Sequence, residues 1–257
     1  MGVTRLSGLS PGFAAGFTRG VLAERALDPD AAGRALAEAL GAPDAEVVRL
    51  KQVHGFRVLT IEEPPRERRN THLGEGDGLL TCQPNVLLAV ASADCVPIVL
   101  ADPRTGWIAA VHAGWRGTAA RVLDAALDAL EARGVRVAGV TAAFGPSIAR
   151  DRYEVGPEVV EALRASYGVA PRDAITAGAG GKAFIDVAAF NVAALVARGV
   201  DPARIHQIGI CNAAAADLPS WRRDGATTGR ILTGIVRFSG ETISRAAPPG
   251  AAALHAP

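Results

Sequence analysis

A cysteine and a histidine lie in two apolar segments separated by a short turn. Cys95 is in the first segment and His112 in the second, and residues 102–106 between them include a proline and a glycine. This pattern predicts a β-hairpin. With Pro103 and Arg104 as the loop, Cys95 faces His112 with Cβ atoms about 5 Å apart, and a three-residue loop or a bulge shifts the register by one. A thiol and an imidazole in contact can share a metal or act as nucleophile and base.

A second imidazole in a similar setting makes a metal site one interpretation of this pair. The chain has five histidines, and His54 and His112 each end an apolar run and are followed by Gly or Ala-Gly. Two histidines and one cysteine form a known catalytic zinc set that leaves a fourth position for water or substrate. The competing interpretations are that Cys95 is a small buried hydrophobic residue and that His54 is structural or exposed.

The residues beside this pair predict contacts with substrate. In a regular strand Asp94 points away from Cys95, and it either orients a ligand or substrate hydroxyl or makes structural hydrogen bonds. Arg116 lies between two glycines at the start of a helix predicted over 116–133. Its guanidinium, the free N–H groups and the helix dipole favour a phosphate, whereas the alternative is a surface arginine. The residues predicted to be catalytic are Cys95, His112, Asp94 and Arg116.

Composition and charge exclude several classes of protein. The 257-residue chain is 49% hydrophobic with a formal net charge of +1, so it can bury a full core and gives no reason to expect nucleic acid as a partner. Its three cysteines do not suggest a disulfide framework. No secretory leader and no apolar run of about 18 residues is recognisable. We therefore expect a cytoplasmic protein without a membrane partner, as a monomer or homodimer.

The pattern of elements indicates an α/β (α+β) fold in one domain. Strands outnumber helices and several pair locally, which favours a mixed-sheet core with helices packed outside. The domain is expected to span residues 1–257, with residues 1–12 and the Ala/Pro-rich residues 246–257 flexible. Helices are expected over 157–166 and 186–198, the second with Asp186 as its N-cap.

Eight motifs in this order carry a resemblance to a known family. They are 51–55 (KQVHG), 77–81 (DGLLT), 92–98 (SADCVPI), 110–118 (AVHAGWRGT), 145–148 (GPSI), 153–156 (YEVG), 222–225 (RRDG) and 228–230 (TGR). Together they resemble the purine nucleoside phosphorylase family with a laccase domain, formerly called the multicopper polyphenol oxidase family. The match runs over nearly the whole chain, and motifs of this length and order are specific.

The resemblance implies a mixed β-sheet sandwich covered by helices on both sides. It also implies phosphorolysis of adenosine, inosine and methylthioadenosine to base and ribose 1-phosphate, with adenosine deamination as a further activity. It places zinc at His54, Cys95 and His112, the set already reached from residue types, and copper binds the same donors well. The residues predicted on this basis to contact substrate or phosphate are Lys51, Gln52, Arg116 and Arg230.

The chain departs from the family pattern in two places. The segment 16–20 lacks the longer Ser/Thr-Arg-Gly-Gly stretch of the family, and Ala149, Asp151 and Arg152 stand where glycine and cysteine are common. These departures bear on substrate range more than on the metal site. The older oxidase name fails a physical test, because five histidines without an H-x-H pair cannot hold a laccase's four coppers.

Three alternatives to a phosphorylase stay open at this point. A Cys–His hydrolase or transamidase would use Cys95 as nucleophile and His112 as base. A phenol oxidase with a single copper ion would use the same three ligands. A zinc-stabilised module that binds nucleotides or a protein partner would show no turnover and would unfold on chelation.

Overall fold

The computed structural model describes residues 2–20, 29–63 and 71–239, and it shows two six-stranded sheets with a hydrophobic core between them. The strands of the described part, in chain order, are β1 (Gly2–Arg5), β2 (Phe13–Arg19), β3 (Glu46–Lys51), β4 (Val58–Ile61), β5 (Thr71–Glu75), β6 (Gly78–Thr81), β7 (Val86–Ser92), β8 (Val96–Ala101), β9 (Ile108–Ala113), β10 (Thr141–Phe144), β11 (Glu154–Val155), β12 (Ile175–Ala177), β13 (Ala183–Ile185), β14 (Ile205–Gln207) and β15 (Ile231–Arg237). The helices are α1 (Pro29–Leu40), α2 (Trp115–Ala119), α3 (Val122–Glu131), α4 (Pro157–Tyr167), α5 (Val187–Ala197) and α6 (Trp221–Asp224).

Both large sheets are mixed, as the sequence predicts. The first has the strand order β1-β2-β15-β7-β3-β5 and the second β14-β10-β8-β9-β6-β4, while β11-β13-β12 form a small third sheet. In the first sheet β3 runs parallel to both β5 and β7, and in the second β10 pairs in parallel with β14. The remaining neighbours of β7, β8 and β9 are antiparallel.

Apolar side chains fill three layers. Val48, Leu88, Val99 and Ile235 are fully buried between the two sheets. Helix α1 covers the outer face of the first sheet, and α3, α4 and α5 contribute to the core on the outer face of the second. Because β8 and β9 are thus covered on both faces, every residue in them is buried, which explains their continuous apolar sequence. The predicted α/β sandwich with helices on both sides is confirmed.

The predicted hairpin exists, but its register differs from the prediction. Pro97 pairs with His112, and Val96 with Ala113, so Cys95 lies just before β8 instead of opposite His112. The turn is longer than two residues because the Asp102 carboxylate accepts hydrogen bonds from the backbone of Arg104 and Thr105 and closes a wider loop. The register moves by two residues, and an even shift keeps side chains on the same face.

The helix predicted over 116–133 is two helices. Arg121 has a left-handed φ of 64° between α2 and α3. Its guanidinium stacks on Tyr167 and pairs with Asp124. The helix therefore breaks at a residue held by these side-chain contacts, and no glycine or proline at the break predicts it. Helix α2 has only five residues, which leaves the Arg116 side chain as the main basis for an anion site there.

The N-terminal residues and two predicted helices lie in the described part of the chain. Within the segment predicted to be flexible, Gly2–Arg5 forms an edge strand paired with β2, whereas residues 246–257 lie outside the described part. Helices α4 and α5 match the predicted ranges, and Asp186 caps α5 by accepting a hydrogen bond from the backbone of Ala189. In the described residues, no helix is long and apolar enough to span a bilayer.

Candidate metal centre and active site

The fold brings His54, Cys95 and His112 together in one group, called here the His–Cys–His group. One ligand atom from each residue lies within 4.8 Å of the others. The two imidazole rings meet edge to face, with centroids 4.9 Å apart and an interplanar angle of 78°. His112 is buried, Cys95 half-buried and His54 exposed, so the group opens to solvent on the side of His54.

Each member of the group comes from the end of a strand. His112 lies in β9, Cys95 precedes β8, and His54 lies in the loop after β3, which belongs to the other large sheet. His54 has a left-handed φ of 59°, a conformation that side chains adopt rarely and that turns the chain sharply. The site is therefore assembled between the two sheets and needs both of them.

Asp77 contacts the His–Cys–His group, although its residue type did not assign it to the site. Its fully buried carboxylate lies 2.9 Å from Nδ1 of His112 and accepts hydrogen bonds from the backbone N–H of Val53, His54 and Gly55. The contact to Nδ1 leaves Nε2 of His112 as the ligand atom, because a hydrogen-bonded carboxylate fixes the tautomer of an imidazole. The signal was present in the motif 77–81, but the sequence does not show which residue Asp77 contacts.

Electrostatics in the group favour the ligand form of the thiol. Burial raises the pKa of Cys95, but hydrogen bonds to His112 and His54 outweigh it and lower the pKa to about 6. Burial also lowers the pKa of His112, but hydrogen bonds to Asp77 and Cys95 raise it to about 9. The lowered pKa of Cys95 therefore favours the thiolate, the form that binds metals and attacks electrophiles.

Gly114 leaves the space that Cys95 and His54 occupy. A Cβ at this position would lie 2.8 Å from Cys95 Sγ and 3.2 Å from the His54 ring. Gly117 has a similar role, since a Cβ there would lie 3.0 Å from the carbonyl oxygen of Gly55. The two glycines that favoured an anion site in the sequence therefore also allow close packing around the His–Cys–His group.

Asp94 lies outside a regular strand, unlike the expectation, and has a left-handed φ of 91°. Its buried carboxylate accepts hydrogen bonds from Asn212 Nδ2 at 2.8 Å, Ser220 Oγ at 2.7 Å and the backbone N–H of Arg222 at 2.7 Å. These contacts anchor helix α6, which carries Arg222, to Asp94, the residue that precedes Cys95. The structural alternative for Asp94 thus has direct support, and a catalytic role stays a prediction.

Arg116 is exposed at the first turn of α2, with its guanidinium 4.3 Å from the ring centroid of Trp115. It has no carboxylate within ion-pair distance among the residues that the structure describes. Its charge is therefore available to an anion in solution, and phosphate binding by Arg116 stays a prediction.

The other three predicted substrate contacts have protein partners. The side-chain amide of Gln52 donates a hydrogen bond to the carbonyl oxygen of Ala91 and accepts one from its N–H, both at 2.7 Å. Gln52 therefore joins the loop that carries His54 to β7. Lys51 is exposed and pairs with Glu75 at 2.8 Å. The guanidinium of Arg230 donates to the carbonyls of its own loop. Their substrate roles stay predictions, and for Gln52 the structure shows a positioning role.

The chemistry of the donor set fits a transition metal. Two imidazoles and a thiolate suit zinc and copper, and three protein ligands leave a coordination position for water or substrate. Metal-binding histidines usually donate a hydrogen bond from the ring nitrogen that does not bind the metal. The contact of His112 Nδ1 with Asp77 is of this kind. The fold and this site together define an α/β sandwich protein with a potential His–Cys–His metal centre.

Comparison with known proteins identifies the family. Residues 3–238 match the family described as "Multi-copper polyphenol oxidoreductase laccase", and the chain belongs to it. The family description refers to several copper ions, yet in the described part the structure provides one group suited to a single ion.

Curated relatives and solved structures agree on this family. The chain is 38% identical over 247 residues to a purine nucleoside phosphorylase of Deinococcus radiodurans, covering 93% of this chain and 90% of that protein. It is 39% identical over 207 residues to adenosine deaminase RL5 from an unknown prokaryotic organism, covering 79% of both. The crystal structure of YlmD from Geobacillus stearothermophilus superposes with a TM-score of 0.79 at 30% identity, covering 89% of this chain and 93% of that one.

Proposed function

We propose that this protein is a zinc-dependent purine nucleoside phosphorylase with adenosine deaminase as a side activity. The observation that carries the proposal is the His–Cys–His group, open to solvent and braced by Asp77. The names of the two relatives supply the substrate class, namely purine nucleosides. The expected substrates are adenosine, inosine and methylthioadenosine.

Phosphorolysis assigns a separate role to each charged group. A phosphate oxygen bonds to C1′ of the ribose, the bond from C1′ to the purine breaks, and the hydroxyl proton of hydrogen phosphate ends on the base. Arg116 binds the phosphate through charged hydrogen bonds. Asp77 keeps the His112 ring fixed, so that Nε2 faces the reaction site.

A bound zinc ion supplies positive charge that polarises a substrate oxygen or lowers the pKa of a water molecule. Deamination consumes water and releases ammonia from adenosine, so it needs no phosphate. The two activities therefore share the His–Cys–His group but differ in their need for Arg116. This difference allows them to be separated experimentally.

The test is incubation of the zinc-loaded protein with inosine or adenosine, with and without phosphate, followed by chromatography. We expect hypoxanthine and ribose 1-phosphate from inosine only when phosphate is present, and inosine from adenosine in both conditions. C95A and H112A should each abolish base release, whereas C82A, which replaces a half-buried cysteine outside the group, should retain it. Absence of base release with the wild type would overturn the proposal.

A hydrolase is the second candidate, and one observation favours it. Asp77, His112 and Cys95 form a hydrogen-bonded chain of the kind that activates cysteine nucleophiles. This candidate requires an active protein without metal that loses activity when Cys95 is alkylated. Treatment with iodoacetamide after chelation, followed by mass spectrometry and a nucleoside hydrolysis assay, separates it from the zinc enzyme.

The proposal also places the protein in the cytoplasm, where thiols stay reduced. Cys82, Cys95 and Cys211 are all free. A reduced Cys95 is necessary because the thiolate is the metal-binding form. Fractionation of cells that express the full chain, with antibody detection, checks this location.

A further inference from the structure

Arg222 is brought to the His–Cys–His group through its backbone. Its N–H donates to Asp94 Oδ2 at 2.7 Å, and Asp94 directly precedes Cys95. The hydroxyl of Ser220 donates to the other oxygen of the same carboxylate at 2.7 Å. This clamp involves no side-chain atom of Arg222, so the guanidinium does not contribute to it.

The Arg222 side chain is fixed by a second contact close to the site. Its guanidinium carbon lies 5.0 Å from the ring centroid of Tyr153, and Nη1 donates to the carbonyl oxygen of Glu154 at 2.7 Å. Among the described residues no carboxylate pairs with this guanidinium, which is therefore pre-positioned with its charge uncompensated. Pre-positioned arginines are well suited to phosphate groups because little side-chain freedom is lost on binding.

Tyr153 is the aromatic partner of Arg222. Burial is the main reason that the pKa of its phenol is raised to about 12, and the negative charge of Cys95 raises this pKa further. At neutral pH the hydroxyl therefore keeps its proton and is a hydrogen-bond donor. The phenol and the Arg222 guanidinium are thus neighbours, and the backbone of Arg222 is bound to the residue that precedes Cys95. Arg116 lies two residues after Gly114, which packs against Cys95 Sγ.

We propose that Arg222 and Tyr153, together with Arg116, form a phosphate subsite beside the His–Cys–His group. The inference rests on the proposed phosphorolysis and extends it, because it adds Arg222 and Tyr153 to the residues predicted to contact phosphate. The ligands are inorganic phosphate in the forward reaction and the phosphate group of ribose 1-phosphate in the reverse. Arg222 binds charged oxygens, and Tyr153 donates one hydrogen bond to the same group.

The experiment compares R222M, R222K and Y153F with the wild type in their zinc-loaded forms. Phosphate KM at saturating inosine should rise about 10- to 100-fold in R222M, as expected for loss of a charged hydrogen bond. R222K should show a smaller rise and Y153F a several-fold one. Adenosine deamination without phosphate should stay within about twofold, since it needs no anion. R172M, at an arginine whose side chain is 96% exposed, is the matched control.

Each outcome decides the inference. An unchanged phosphate KM in R222M overturns it, and so does an equal fall of phosphorolysis and deamination accompanied by a lower melting temperature, which indicates a structural role. If the wild type shows no phosphorolysis, calorimetric titration with inorganic phosphate tests the subsite directly. There, weaker phosphate binding by R222M would support the subsite while the proposed function fails, and unchanged binding would reject both.

Discussion

Two buried aspartates flank the His–Cys–His group, and they do different work. Asp77 accepts hydrogen bonds from the backbone of residues 53–55 and contacts the ring of His112. Asp94 contacts Asn212, Ser220 and the backbone of Arg222. The first carboxylate therefore positions two candidate metal ligands, whereas the second holds the segment that contains α6.

The difference shows that the site consists of two halves with different origins. Asp77 and the ligands lie at strand ends of the sandwich, where the surrounding core is rigid. The loop anchored by Asp94 comes from the C-terminal part of the chain and contributes side chains that face solvent. Changes near Asp77 should therefore act on metal binding and on both activities, and changes near Asp94 on phosphate use.

The largest effect is expected for D77N. The amide removes a buried charge and offers a donor to backbone N–H groups that need an acceptor, so the free energy of unfolding of the metal-free protein should fall by about 3–5 kcal/mol. Zinc affinity should fall 10- to 100-fold. Urea denaturation and competition with a chromophoric chelator measure the two quantities.

The control for this variant is D102N. Asp102 is equally buried, but its carboxylate closes the hairpin turn at the opposite end of β8. D102N should lower stability without changing zinc affinity. Zinc affinity of wild-type strength in D77N would contradict the role given to Asp77.

A smaller effect is expected for D94N. The amide retains one acceptor oxygen but loses at least one of the hydrogen bonds from Ser220 and Arg222, which costs about 1–3 kcal/mol of unfolding free energy. Phosphate KM should rise as in R222M, while zinc affinity stays within about threefold of the wild type. A loss of zinc affinity equal to that of D77N would show that the two halves are not separable.

The smallest effect on stability is expected for D217N, at the outer edge of the half of the site that Asp94 anchors. Asp217 forms a two-point ion pair with Arg19, with N–O distances of 2.7 and 2.9 Å, and joins β2 to the turn that precedes the anchored loop. The hydrogen bond from Arg19 is the main cause that lowers the pKa of Asp217. Both side chains are partly exposed, so the pair stabilises the fold by less than about 1 kcal/mol.

The sign of the pH dependence follows from the lowered pKa. The stabilisation is complete above the unfolded-state pKa of about 4 and disappears as pH falls through the lower folded-state value. D217N should therefore be slightly less stable than the wild type in urea at pH 7 and equal to it in strong acid. A difference that persists in strong acid would assign the effect to packing instead of charge.

The sequence predicted the three candidate metal ligands, but it assigned the wrong pairing register to the β8–β9 hairpin that carries two of them. Residue types and the family motifs both selected His54, Cys95 and His112, and the structure brings them together. The hairpin register was wrong because Asp102 widens the turn, yet the shift is an even number of residues, and Cys95 and His112 still lie close together. Periodicity determines the face of a strand, whereas loop geometry determines which residues are opposite each other.

By itself, the sequence determined the family, the sandwich class and the residues able to bind a metal, because apolar patterning and residue types are local properties. Only the tertiary structure decided that Asp77 contacts His112 and the backbone at His54, that Gln52 and Asp94 bind backbone groups, and that the backbone of Arg222 is bound to the residue before Cys95. These contacts join residues far apart in the chain, and their partners are fixed by the packing of two sheets, which no local pattern encodes.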